Sequence, residues 1–171
     1  TGTGKTAAFC LPILDELAKD PSSVFAIIIE PTRELALQVV EKLNVYSVGF
    51  NLRVSMIIGG EDYINQMLDL DKLPHIIVST PGRLAELLVE DKINLIENVK
   101  YLVLDEFDQL FNDTMIGKIE YIAGKIKNNE SRVNLLFSAT YSNETLPLNE
   151  IKSRIPIGLC SDNNSEIVSS N

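Results

Sequence analysis

The chain opens on Thr1-Gly2-Thr3-Gly4-Lys5-Thr6, and this short stretch constrains everything after it. Glycines let backbone N–H groups close around phosphate oxygens with no Cβ in the way. Lys5 adds a positive point charge at β- and γ-phosphates, and the Thr6 hydroxyl offers an oxygen to Mg²⁺. A helix starting here aims the positive end of its dipole at the same phosphates. Gly2, Thr3, Gly4, Lys5 and Thr6 are therefore the expected phosphate-binding residues, with Thr6 also an expected metal ligand. The full pattern, G-x-x-x-x-G-K-[ST], would start before residue 1, so the sequence reads as beginning inside its own motif.

Past the loop, apolar β-branched runs alternate with helix-like segments. The runs are Val24 to Ile29, Leu52 to Ile58, Ile76 to Ser79, Tyr101 to Leu104 and Val133 to Ser138. Most are apolar on both faces, as strands buried in a parallel sheet must be. Between them, helices are expected over Lys5–Lys19 (kinked at Pro12), Thr32–Tyr46, Tyr63–Leu73, Arg83–Glu90, Ile116–Lys127 and Glu144–Ile155. This alternation predicts an α/β three-layer sandwich around a mainly parallel sheet. One domain is expected over 1–160, with 161–171 a polar tail or the start of a linker. The strand before a phosphate loop is central to such a sheet. Without it, neighbouring strands are expected to expose unpaired edges and to leave residues 1–171 poorly stable.

Parallel sheets bind ligands at the carboxyl ends of their strands, and each run here ends in a polar or glycine-rich cluster. The clusters are Glu30-Pro31-Thr32-Arg33, Gly59-Gly60, Thr80-Pro81-Gly82-Arg83, Asp105-Glu106-Phe107-Asp108 and Ser138-Ala139-Thr140. Core packing gives no reason for that recurrence. Asp105 is expected to hold Mg²⁺ through its water shell, since this ion takes few carboxylates. Glu106 is expected to orient or deprotonate an attacking water. A solvated acidic turn is the bland alternative, and the phosphate loop far upstream weighs against it. Arg33 and Arg83 each follow a Thr-containing turn, an arrangement suited to phosphate contacts. A plain salt bridge to Glu34 or Glu86 is the alternative for either one alone. Taken together with Gly59-Gly60, the two turns favour contact with a nucleic-acid backbone, read through phosphate and sugar and not through base sequence.

Composition sets outer limits. The 171 residues carry a net charge of −9, against a protein wrapped uniformly in nucleic acid but not against a local basic groove. The two cysteines, Cys10 and Cys160, form neither a disulfide framework nor a zinc cluster, which fits an intracellular, reducing compartment. No apolar run approaches the length of a transmembrane helix. Cys10 is read as a small core residue, and His75, the single histidine, as a surface or packing residue.

In order, TGTGKT, PTRELA, GG, TPGR, DEFD and SAT resemble the DEAD-box RNA helicases, as the first of that family's two RecA-like domains. The match runs from residue 1 to about 157, and PTRELA and TPGR are its specific parts. The resemblance implies an ATP-binding domain that couples ATP binding and hydrolysis to RNA binding and duplex unwinding in the full-length protein. Its implied cofactors are ATP and Mg²⁺, with Lys5, Asp105 and Glu106 catalytic and Asp105 also serving the metal. Pro31, Thr32, Arg33, Gly59, Gly60, Thr80, Pro81, Gly82 and Arg83 would line the RNA backbone path. Asp108, Ser138 and Thr140 would couple hydrolysis to strand separation. The implied partners are RNA and a second RecA-like domain, whose arginine fingers complete the catalytic site. Hence the chain alone is expected to have little or no ATPase activity. Phe107 departs from the pattern by replacing the alanine of the name-giving motif. A non-catalytic ATP-dependent RNA clamp is the first alternative, and a phosphate-loop ATPase acting on a protein or DNA partner the second.

Overall fold

The computed structural model describes residues 4–89, 96, 99–126, 132–138 and 158–159. In chain order these residues form α1 (Lys5–Lys19), β1 (Ala26–Ile29), α2 (Arg33–Tyr46), β2 (Val54–Ile57), α3 (Tyr63–Asp71) and β3 (Ile76–Ser79). There follow α4 (Pro81–Val89), β4 (Tyr101–Leu104), α5 (Phe107–Leu110), α6 (Ile116–Lys125), β5 (Val133–Leu136) and β6 (Gly158–Leu159). The strands make one parallel sheet in the order β2-β3-β1-β4-β5-β6.

Side chains alternate across a strand, and here both faces are apolar. From the strands, Ala26, Ile28, Ile76, Val78 and Val103 bury with Cys10, Ile13, Val39 and Leu43 of α1 and α2. Their neighbours Ile27, Ile29, Ile77, Leu102 and Leu104 bury with Leu84, Leu88, Ile119 and Ile122 of α4 and α6. The result is the expected three-layer sandwich. Each such aliphatic side chain contributes on the order of 1.5–3 kcal/mol by burial. β5 lies between β4 and β6, and the two residues of β6 pair with Leu135 and Leu136, covering part of the edge that the sequence suggested would be exposed. Among the described residues, no helix is long and apolar enough to cross a membrane.

Element boundaries differ from expectation for local reasons. Val24 has φ 44°, a left-handed turn that delays β1 until Ala26. Helix α1 runs through Pro12 unbroken. Pro12 and Ala8 are both exposed, so the carbonyl that the missing N–H leaves unpaired faces water. The TPGR turn is itself the start of a helix. Pro81 opens α4, where its missing N–H does no harm, and Thr80 O accepts from Leu84 N at 3.2 Å. The short helix α5, inside the acidic motif, and the brief β6 have no periodic signal and were not anticipated. The expected helix at Glu144–Ile155, the tail at 161–171, and Gly2, Thr3 and Thr140 lie outside the described residues.

Candidate active site

The strands leave the sheet in step. Ile29 pairs with Leu104 and with Ser79, Ile57 with Ser79, and Leu104 with Leu136. The residues that follow them therefore emerge along one rim. Asp105 N donates to Ile29 O at 3.1 Å, and Phe137 N to Leu104 O at 2.9 Å, carrying the ladder past the strand ends.

Gly4 opens α1 with φ 80°. A Cβ there would meet nothing within 4 Å, so the glycine is required by conformation and not by space. At the next residue, Lys5 Nζ donates to Glu106 Oε1 at 2.8 Å. Burial by itself would depress the Lys5 ammonium. The hydrogen bond to Glu106 and the charges of Glu106, Asp105 and Asp108 outweigh it and hold the lysine above its ordinary value. Thr6 Oγ1 accepts from Lys42 Nζ at 3.0 Å. Asp105 is 6% exposed, and its Oδ1 accepts the Glu106 N–H at 2.9 Å. Burial raises the Asp105 carboxyl, partly offset by that N–H and by Lys5 and Lys42. Glu106 sits at φ 45°, a left-handed conformation rare for a side chain of this size and one that collects at functional sites. Gly4, Lys5, Thr6, Glu30, Asp105 and Glu106 line a common cavity.

This donor set fits a magnesium–triphosphate. Thr6 and Asp105 present hard oxygens, Lys5 a cation, and Gly4 the N-terminal end of a four-turn helix. Among the described residues no group of three or more His, Cys, Asp or Glu could hold an ion on its own.

The basic turns lie along the same rim. Thr32 caps α2, its Oγ1 accepting from Leu35 N at 3.3 Å, and this aims Arg33 outward. Arg33 Nη2 lies 3.9 Å from Glu61 Oε1, and Arg83 Nη1 donates to Glu61 O at 3.3 Å. The two arginines thus converge on one residue. Arg33 pairs with Glu61 and not with Glu34, whereas Arg83 does meet Glu86, at 3.2 Å. Their exposures differ: 50% of the Arg33 side chain is accessible and 13% of Arg83. Gly60 has φ 81°, and a Cβ on it would fall 2.6 Å from the Arg33 guanidinium. Gly59 has no such restriction. Beneath this turn the buried Gln66 makes two hydrogen bonds with the Ile58 backbone, 3.1 Å as acceptor and 2.9 Å as donor.

A family profile described as "DEAD/DEAH box helicase" matches residues 1–147. The chain belongs to the DEAD/DEAH box helicase family. It is similar to the ATP-dependent RNA helicase dbp8 of Schizosaccharomyces pombe, at 45% identity over 82% of this chain and 32% of that protein. A probable ATP-dependent RNA helicase, ddx49, of Dictyostelium discoideum is 46% identical over 88% of this chain and 30% of that protein. The chain thus spans about a third of the length of the curated relatives it matches. Among solved structures, the DEAD-box helicase Mss116 bound to ssRNA and UDP-BeF superposes with TM-score 0.80 at 34% identity, covering 94% of this chain and 34% of that one. A DEAD box protein from Methanococcus jannaschii gives 0.79 at 38% identity, covering 93% of this chain and 42% of that one.

Within this DEAD/DEAH box domain, the residue that departs from the family motif has a structural home. Phe107 is 2% exposed, and its ring packs against Phe111 at 5.3 Å between centroids, the two planes tilted by 51°. Phe107 N donates to Phe137 O at 2.9 Å, which sets Asp108 and Ser138 on adjoining segments. Cys10 is wholly buried, and burial lifts its thiol to about 12. His75 is a packing residue, its Nδ1 accepting from Arg53 N at 3.2 Å. Sequence reasoning missed Glu30, Lys42, Glu61 and Gln66. Glu30 and Gln66 did carry a signal, since each is a polar residue at a position whose neighbours dictate an apolar one.

Proposed function

We propose that this chain is the ATP-binding, RecA-like domain of an ATP-dependent RNA helicase. In the full protein it binds ATP with Mg²⁺ along one part of the rim and the sugar–phosphate backbone of RNA along the next. The observation that carries this reading is the convergence of Lys5 and Thr6 with Asp105 and Glu106, on a rim shared with Arg33, Gly60 and Arg83.

Each residue then has a task. Gly4 and the first turn of α1 direct N–H groups at phosphate oxygens. Lys5, held by Glu106 at 2.8 Å, turns from that carboxylate to the phosphates. Release from Lys5 frees Glu106 to accept a proton from the attacking water and to orient it. Mg²⁺, when bound, neutralises charge developing on the β- and γ-oxygens. Thr6 and Asp105 are the residues that would hold it. Arg33 and the N–H groups of the Gly59-Gly60 and Thr80 to Arg83 turns contact ribose and phosphate, so binding is indifferent to base sequence. A second RecA-like domain in the same protein closes on this rim and supplies arginine to the transferring phosphate. Ser138 and Asp108 lie on the segments that would sense that closure.

The clamp alternative rested on drift at Phe107. Its burial leaves Asp105 and Glu106 beside Lys5, which supports a hydrolytic site. RNA-stimulated phosphate release by the full-length protein tests the reading. Wild type should turn over and Glu106→Gln should bind ATP but hydrolyse it at least a hundredfold more slowly. Equal slow rates in both would favour the clamp.

A further inference from the structure

Glu30 is the one carboxylic acid lining the cavity to which no task has yet fallen. It is 0% exposed, yet neither carboxyl oxygen has a hydrogen-bond partner among the described residues. Buried polar groups are almost always satisfied, and an orphaned carboxyl carries a heavy desolvation penalty. Its own strand shows what packing would prefer at this depth, since Ala26 to Ile29 are apolar and fully buried. The side chain instead lines the cavity with Lys5, Thr6 and Asp105. Because Ile29 is in register with Leu104, Glu30 and Asp105 leave adjacent strands side by side.

We propose that Glu30 is a further positioning residue of the metal–nucleotide site, accepting hydrogen bonds from the water shell of the divalent cation beside Asp105. The inference rests on the nucleotide-site reading given above. A hydrated cation supplies what the carboxyl lacks: several O–H donors and a positive charge at short range. Contact through water fits Mg²⁺, which keeps much of its water in such sites. Lys42, whose ammonium reaches Thr6 Oγ1 at 3.0 Å, lines the same cavity.

The contact has a signed consequence. Glu30 finds its hydrogen-bond donors in the cation's water shell, so it favours the metal-bound triphosphate and contributes little to the bare one. Glu30 therefore strengthens the coupling between cation and nucleotide, which is a reciprocal free energy between two ligands.

The test uses the full-length protein, a fluorescent ATP analogue, and Mn²⁺ followed by electron paramagnetic resonance. Nucleotide affinity is measured in EDTA and in saturating Mg²⁺ for wild type, Glu30→Gln and Glu30→Ala, with circular dichroism reporting the fold. Outer-shell partners of bound metals are typically worth 10–100-fold in metal affinity. Glu30→Gln should thus weaken Mn²⁺ in the ternary complex about tenfold, while metal-free nucleotide binds about as tightly as to wild type. Glu30→Ala should do the same. Equal changes with and without metal, or no change in either, would overturn the proposal and leave Glu30 as a packing anomaly. A wild type that binds no nucleotide, or binds it indifferently to Mg²⁺, would instead remove the nucleotide-site reading and Glu30's role with it.

Discussion

Lys5 and Glu106, 101 positions apart in the chain, meet at 2.8 Å across the mouth of the cavity. The pair holds the site in order by giving the buried ammonium a counter-charge that a phosphate can later replace. Lys5→Ala should remove most nucleotide affinity, because the cation and its phosphate contact go together. Glu106→Gln keeps the hydrogen-bond acceptor and should bind nucleotide normally while losing 10²–10⁴ in hydrolysis, the usual range for a general base. Titration with a fluorescent nucleotide and phosphate-release kinetics separate the two. Loss of binding in both variants would mean that Glu106 serves only to position Lys5.

Arg33 and Arg83 share Glu61 but should fail differently. Arg33 is half-exposed and weakly paired, so Arg33→Ala should leave stability within about 0.5 kcal/mol of wild type and weaken RNA. The salt dependence of RNA binding should fall by roughly one phosphate's worth, a slope change of about 0.7 for single strands. Arg83 is mostly buried, ion-paired with Glu86 and set 5.8 Å from the Tyr63 ring centroid. Arg83→Ala should therefore lower the thermal midpoint as well as RNA affinity. RNA titrations at several salt concentrations, with melting curves alongside, distinguish a contact residue from a brace.

Gly59 and Gly60 are adjacent but not equivalent. Gly60→Ala forces a Cβ into a left-handed conformation, a cost of about 1–2 kcal/mol, and pushes the Arg33 guanidinium away. Gly59→Ala meets open space and should be close to neutral for stability. The expected outcome is a loss of RNA affinity for Gly60→Ala with nucleotide affinity unchanged. Identical behaviour of the two alanine variants would refute the distinction.

Much of this was readable in the chain because the strong signals were local and repeated. The strand cores over Ile76–Ser79 and Tyr101–Leu104, each a continuous apolar run, and the bounds of the helix over Lys5–Lys19 came out as expected, although the helix runs through Pro12. The convergence of loop, acidic cluster and basic turns followed from parallel strands in register. What escaped was decided by tertiary contact. Nothing in the order of residues shows that Glu61 would bridge two arginines or that Lys42 would turn from α2 toward Thr6, and the misplaced polarity of Gln66 does not name Ile58 as its partner. The four-residue helix α5 is too short to have a period at all.

Glu16 gives a pH-dependent prediction away from the cavity. On α1 it accepts hydrogen bonds from Lys100 Nζ and Tyr101 Oη, fastening the helix to the start of β4. Those bonds, from Lys100 first and then Tyr101, hold the Glu16 carboxyl below its usual value of 4.5. Burial, and then the Glu16 charge, push the Tyr101 phenol up to about 12. A depressed carboxyl stabilises the fold above its unfolded pKa. That contribution is lost as pH falls through the folded value. Wild type should exceed Glu16→Gln by about 1 kcal/mol or less at pH 7, since the group is partly exposed. The difference should shrink toward zero as pH drops below 4.5. Urea melts at pH 7 and at stepped acid pH would show it, and a gap independent of pH would contradict it.

Phe107 allows a test in which restoring the family's residue should do harm. Phe107→Ala turns DEFD into the familiar form of the motif, and on sequence grounds alone it looks like a repair. The ring, however, belongs to the core. It is 2% exposed, lies in the same apolar cluster as Leu104, Leu110 and Leu136, and packs with its ring tilted against Phe111. Truncating a buried phenylalanine removes transfer free energy and leaves a cavity, together about 3–5 kcal/mol. The thermal midpoint should fall by several degrees, while the fraction that remains folded binds nucleotide as before. If Phe107→Ala is instead neutral or stabilising, the cluster beneath the acidic loop repacks freely. Asp105 and Glu106 would then owe their placement to the strand end alone.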